Sequence, residues 1–195
     1  MPRNTAFLAL HYQNEVIQPQ GAIRVGMAED APGRAALIAN ARRLLVGMRA
    51  ASVPVVSVRI AFRPDHADVI ANCRIFRDVV RLGAMVEGSW GADFVEGLGP
   101  LPGEHVVKHT RTNAFFGSPL EDVLRCLDVR RLVVAGVSTH SVVEATVRHA
   151  SDAGYAVTVA GDACSSGDAA MHAASLRAMD LVAEVSTTGA ILAAL

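Results

Sequence analysis

The sequence predicts an α/β fold in which helices cover both faces of a parallel sheet. Two observations carry this. Short apolar runs rich in β-branched residues alternate with segments whose apolar residues recur at helical spacing. The connections are short, with no internal repeat and no linker long enough to separate two domains, so residues 1–195 read as one domain. Of the 195 residues, 51% are hydrophobic, enough for a substantial core. The 18 basic and 19 acidic residues nearly cancel, which leaves no electrostatic footprint for nucleic acid and no basic tract for a membrane surface. Apolar stretches are too short to span a bilayer, and the first ten residues hold too short an apolar run for a signal-peptide core. Cysteines 73, 126 and 164 show neither metal-ligand spacing nor an even disulfide framework. A soluble, cytoplasmic protein is expected.

Ala6 to Leu10 is a buried strand that ends at the polar group His11, Gln13 and Asn14. Pro32 to Ala51 is a helix: Pro32 suits a first turn, and Leu37, Ala41, Leu44, Leu45 and Met48 recur along one face. Val53 to Ile60 is a second strand, its β-branched side chains suited to a pleated surface. Phe62 to Gly91 is less regular, with a loop at Arg63 to His66. Pro102 and Gly103 turn the chain into a third strand, His105 to His109. Ser118 caps a helix running to about Leu127, which also packs Cys126, and Glu121 completes a capping box. Arg131 to Ala135 is the fourth strand, followed by Gly136 and a helix from Thr139 to Ala153. Tyr155 to Ala160 is the fifth strand, followed by a helix from Ala169 to Leu181, a short strand from Ala183 to Ser186 and a closing helix.

Ligands of such sheets bind beyond the carboxyl ends of the strands. That rule selects His11, Arg59, His109 and the segment Val137 to Val142 before any motif is considered.

Four segments at these strand ends also carry a resemblance. They are Thr5 to Val16 (TAFLALHYQNEV), Pro102 to Leu120 (ending NAFFGSPL), Gly136 to Thr146 (GVSTHSVVEAT) and Gly161 to Ser166 (GDACSS). In order and spacing the chain resembles the isochorismatase-like, or cysteine hydrolase, family almost from end to end. The resemblance implies a three-layer α/β/α sandwich with a Rossmann-like, six-stranded parallel sheet, and assembly as a homodimer or homotetramer.

The family's usual catalytic set is an Asp after the first strand, a Lys before the AFxG segment and a Cys on the helix after the GV turn. Here His11 stands at the Asp position and Val142 at the Cys position. Counting back from Ala114-Phe115, the Lys position falls on His109, with Lys108 one residue earlier. Alternation along a strand points these two to opposite faces, and a bulge would bring Lys108 inward, so both stay open. His140 matches a histidine of some isochorismatases. The peptide matching Val137-Ser138 is often cis in the family and helps to form an oxyanion hole. Gln13, Asn113, Val137, Ser138 and Val142, with Arg59 from the strand-end rule, are the expected substrate contacts. The alternative for Gln13, Asn14 and Glu144 is an internal network that caps backbone groups.

A valine has no lone pair and cannot be acylated, so thiol-dependent hydrolysis is not expected. Cys164 reads as a core thiol. A histidine with a pKa of about 6 to 7.5 is able to serve as general acid or base in place of the Asp. Histidines 11, 109 and 140 also raise a zinc reading, since imidazole is a common ligand. The family's metal-binding branch, however, carries Asp-x-His where this chain has Val58-Arg59-Ile60-Ala61. No metal and no other cofactor is expected.

Three functions follow. One is a hydrolase-like enzyme of altered chemistry, in which His11, His109 or Lys108, and His140 act on a small anionic or carbonyl-bearing metabolite by hydrolysis, elimination or isomerisation. The second is an inactive family member that binds a small molecule or serves as a partner subunit. In the third, Lys108 reaches the pocket and a water attacks directly, giving weak residual hydrolysis. A closed, apolar pocket favours the second; an open pocket with two histidines around one point favours the first.

Overall fold

A strand whose side chains are apolar on both faces is stable only where both faces are covered. β1 (Thr5–Leu10) is such a strand, buried at every residue. In the computed structural model, which describes residues 4–195, it lies inside a six-stranded, wholly parallel sheet. The other strands are β2 (Val55–Ile60), β3 (His105–His109), β4 (Arg131–Gly136), β5 (Ala156–Ala160) and β6 (Glu184–Ser186), in the order β3-β2-β1-β4-β5-β6. Parallel neighbours need crossover connections, and helices supply them. They are α1 (Asn14–Ile17), α2 (Arg34–Ala50), α3 (Arg74–Leu82), α4 (Leu120–Cys126), α5 (Glu144–Asp152), α6 (Ala169–Met179) and α7 (Thr188–Ala193). The three-layer α/β/α architecture results. Its core includes Phe7, Leu8 and Leu10 of β1 and Leu44, Leu45 and Met48 of α2, all fully buried.

Some local expectations are corrected. The irregular stretch Phe62 to Gly91 contains α3, which buries Phe76 and Val79 and ends at Gly83, whose left-handed φ of 60° lets its N–H reach the Val79 and Val80 carbonyls. The capping box before α4 does not form. Ser118 Oγ accepts from Leu120 N–H at 3.2 Å, but Glu121 turns to Arg125. The helix after β4 opens with a wide π turn, Thr139–Val143, before α5 begins. Cys126, expected to pack, is exposed at the end of α4.

The strand order reverses between β1 and β4, which makes the gap beyond their ends the switch point of the sheet. Gly136 closes that gap. A Cβ there would meet the Leu10 carbonyl oxygen at 2.1 Å, and its φ of 155° is one that other residues rarely adopt. Glycine therefore lets β4 end directly beside β1.

Candidate active site

His11 follows β1 with φ at +51°, in the left-handed region that a residue with a Cβ enters at a cost. Its N–H is held by the Val58 carbonyl at 2.9 Å, so β2 fixes this turn. The imidazole meets that of His109, Nε2 to Nε2, at 2.5 Å. Both residues are buried, 6% and 1% exposed. His109 Nδ1 lies 3.2 Å from the Asn113 carbonyl, which only accepts, so this nitrogen carries the proton. In the neutral ring Nε2 is then an acceptor, and His11 Nε2–H donates to it. His11 Nδ1 is left as a lone pair, with no partner among the described residues.

Burial holds both rings neutral. The His11 pKa is driven well below the usual imidazole value, first by desolvation and then by His109 beside it. Desolvation lowers His109 to about 4, against a small opposing effect of the Asn113 carbonyl. The ordinary histidine pKa expected from sequence is thus corrected: the His11 ring is neutral at neutral pH.

The register settles the question at the end of β3. Ile60 pairs with His109 and Arg59 with Lys108, and no bulge intervenes. His109 points inward, while Lys108 and Arg59 lie together on the other face. There they clamp Glu87, Lys108 Nζ at 2.8 Å from Oε2 and Arg59 on Oε1. Neither Lys108 nor Arg59 lines the pocket beside His11. The sequence reading puts both at the site, and the salt bridge accounts for their absence from it.

The pocket has two chambers. The inner one, about 40 Å³, holds a water or a functional group of a few atoms. Its walls are largely apolar, with Val16, Ile60, Phe76, Val79, Met85 and Val142 among them, and its polar members are His11, Arg111, Thr112, Ser138 and Ser141. Ile23, Val25 and Ile75 also line the second chamber, an open vestibule of about 520 Å³ that includes His140. His140 therefore stands apart from the histidine pair, and its Nδ1 shares a hydrogen bond with Ser166 Oγ at 2.8 Å. No group of three or more His, Cys, Asp or Glu able to hold a metal ion occurs among the described residues.

Val137-Ser138 is a cis peptide. The N–H groups of Thr139, Ser141 and Val143 are all taken by protein carbonyls, those of Ser165 and Ser138. The buried Ser138 hydroxyl, by contrast, has no hydrogen-bond partner among the described residues. Gln13, expected to touch substrate, instead pins the backbone. It accepts from Ile60 N–H at 2.9 Å and donates to the Ile60 and Ala92 carbonyls. The Asn113 side chain donates to His149 Nδ1 at 3.1 Å, so its link to the site is its carbonyl under His109.

Arg111 has a larger role in the pocket than its sequence context suggests. Its guanidinium lies 4.1 Å over the Phe76 ring and donates to the Ile70 carbonyl and Asn72 Oδ1 at 3.0 and 2.9 Å. The cysteines stand outside both chambers. Cys73 precedes α3, and none of the three lines either chamber. Burial pushes the Cys164 thiol up to about 12.

A switch-point pocket beyond a 3-2-1-4-5-6 sheet, with polar groups from β1, β3 and the turn after β4, defines a Rossmann-like α/β protein with an enzyme-type cleft. An isochorismatase domain model matches residues 5–190, and the chain belongs to that family. A ureidoacrylate amidohydrolase, RutB, of Methylobacterium radiotolerans is 28% identical over 189 residues, 90% of this chain and 72% of that protein. RutB of Pseudomonas syringae pv. syringae is 26% identical, covering 83% and 71%. Among solved structures, an isochorismatase family protein from Desulfovibrio vulgaris superposes with a TM-score of 0.85 at 27% identity, covering 97% of each chain. A cysteine hydrolase from Pseudomonas syringae pv. phaseolicola reaches 0.87 at 24% identity, covering 98% of this chain and 92% of that one, a likeness of fold.

Proposed function

We propose that this isochorismatase-family chain is a hydrolase of small carbonyl-bearing or anionic metabolites that uses His11 as a general base on water, without a cysteine nucleophile. The observation that carries the reading is the tautomer chain Asn113 C=O, His109, His11. It leaves an imidazole lone pair on the base and a second ring behind it, the arrangement a base needs to be oriented.

In this reading the metabolite lies in the vestibule and reaches its carbonyl into the inner chamber. A water oxygen attacks that carbon while His11 Nδ1 takes the water's proton. The resulting imidazolium keeps its Nε2–H on His109, which shares the charge. The Ser138 hydroxyl donates to the carbonyl oxygen as negative charge develops there. The tetrahedral adduct then collapses, the bond between the carbonyl carbon and the leaving group breaks, and His11 returns the proton to that departing group. Val142 contributes a wall and no electrons.

The second reading, a binding protein without turnover, is favoured by one observation, the small inner chamber with its apolar walls. A single experiment separates them. Because the curated relatives carry the name ureidoacrylate amidohydrolase, ureido acids and their amides are the first compounds to assay. Turnover that falls about 10²- to 10⁴-fold in His11→Ala supports the enzyme. A wild type that binds one of these compounds and never turns it over supports the binding protein.

A further inference from the structure

The ligand's chemical class is legible in one side chain that the reaction above leaves unused. We infer that Arg111 is the specificity-determining residue of the pocket and that it selects ligands carrying a carboxylate. The inference rests on the reading of the two chambers as the ligand site, and it is independent of whether His11 performs chemistry.

Among the described residues, Arg111 is the one Lys or Arg lining the inner chamber, which it shares with His11, Ser138 and Val142. His11 is neutral, so no other positive charge is present there at neutral pH. The guanidinium is held in place by neutral partners only, the Phe76 ring, the Ile70 carbonyl and the Asn72 side-chain oxygen. No carboxylate of the described residues lies within ion-pair distance of it. A guanidinium has five N–H donors, and only two of Arg111's are spent on these contacts. The arginines and the lysine around the site behave differently: Arg59 and Lys108 share Glu87, Arg24 pairs with Glu29, and Arg74 and Arg81 share Asp78.

A positioned cation with unused donors beside an apolar chamber is suited to a planar anion that takes two parallel N–H bonds. The surroundings sharpen the choice. Apolar walls and a neutral base make an anion unwelcome anywhere in the chamber except at Arg111. The carboxylate therefore orients the ligand at one end and leaves the Ser138 hydroxyl and the His11 lone pair for a neutral carbonyl at the other. A ligand neutral at both ends would have no preferred direction.

The test uses two probes of equal shape, succinamate and succinamide, whose ends differ by one carboxylate-for-amide exchange. Their dissociation constants are measured by calorimetry at pH 7.5 with the intact protein. Wild type should bind succinamate at least about tenfold more tightly. Arg111→Met should abolish that preference, and Arg111→Lys, which keeps the charge and the aliphatic stem, should retain some of it. Near-ultraviolet circular dichroism checks that each variant is folded. His11→Ala should keep the preference even where turnover is lost, so the carboxylate inference and the catalytic reading fail separately. Equal affinity of the two probes, binding of neither, or a preference that survives Arg111→Met overturns the inference.

Discussion

His11 and His109 share one proton between two neutral rings, Nε2 to Nε2 at 2.5 Å. Because burial lowers the His11 pKa well below the ordinary imidazole value, the proposed base is already unprotonated and ready to accept a proton at neutral pH. The rate should therefore be flat between about pH 6.5 and 8.5 and decline only on the acid side of an ordinary histidine, near 6.5. A pH–rate profile of kcat/KM measures this. A titration centred at pH 7 or above contradicts it.

The same burial makes folding sensitive to acid. An unfolded histidine titrates near 6.5, whereas His109 in the folded protein titrates near 4. Between those values the unfolded chain binds more protons, so stability is full above about pH 6.5 and is lost as pH falls toward 4. For His109 alone the loss at pH 5 is on the order of 2 kcal/mol. Urea unfolding at pH 7.5 and pH 5 should show it, and His109→Gln should flatten the slope between them.

Lys108 and His109 separate cleanly in a mutational experiment. Lys108 belongs to the surface clamp on Glu87, and its side chain is 43% exposed. Lys108→Met should leave turnover within about twofold and cost less than about 1 kcal/mol of stability, the usual worth of an exposed ion pair. His109→Ala removes the ring that orients His11 and should lower kcat about 10²-fold or more while changing KM little. Steady-state kinetics on both variants decides, and a dead Lys108→Met enzyme would reinstate the lysine.

Thiol reagents should label Cys126 readily, because it is exposed, and Cys164 hardly at all, because burial pushes its pKa to about 12. Labelling at Cys126 should leave activity unchanged. Mass mapping of alkylated protein, with activity followed in parallel, tests this. Loss of activity in step with labelling of Cys73 would show a thiol at work.

Much of the sheet is legible from sequence because its central strands, β1 and β4, are apolar runs buried on both faces. β2 and β3 end at the residues expected from sequence, Ile60 and His109. The count that lands on His109, joined to simple alternation, matches the observed register. The outer wall of the pocket is not legible. It depends on α3, nine residues with four charges and only Phe76 and Val79 buried, an amphipathic stretch short enough to pass as part of the irregular segment around it. Arg111 is meaningful only once Phe76 lies beneath it, so its role is hidden for the same reason. Gln13 shows the opposite limit. A buried amide beside a strand end looks the same in sequence whether it meets a ligand or, as here, the Ile60 and Ala92 backbone.

The measurement that bears most directly on His11 as a neutral, oriented base needs no substrate. Long-range ¹H–¹⁵N correlation of the histidine side chains at pH 7, assigned with His11→Gln and His109→Gln, reports which ring nitrogens carry protons. His109 should be protonated at Nδ1 alone and His11 at Nε2 alone, each ring neutral. A doubly protonated ring at pH 7, or a His11 that carries its proton on Nδ1, would contradict the mechanism.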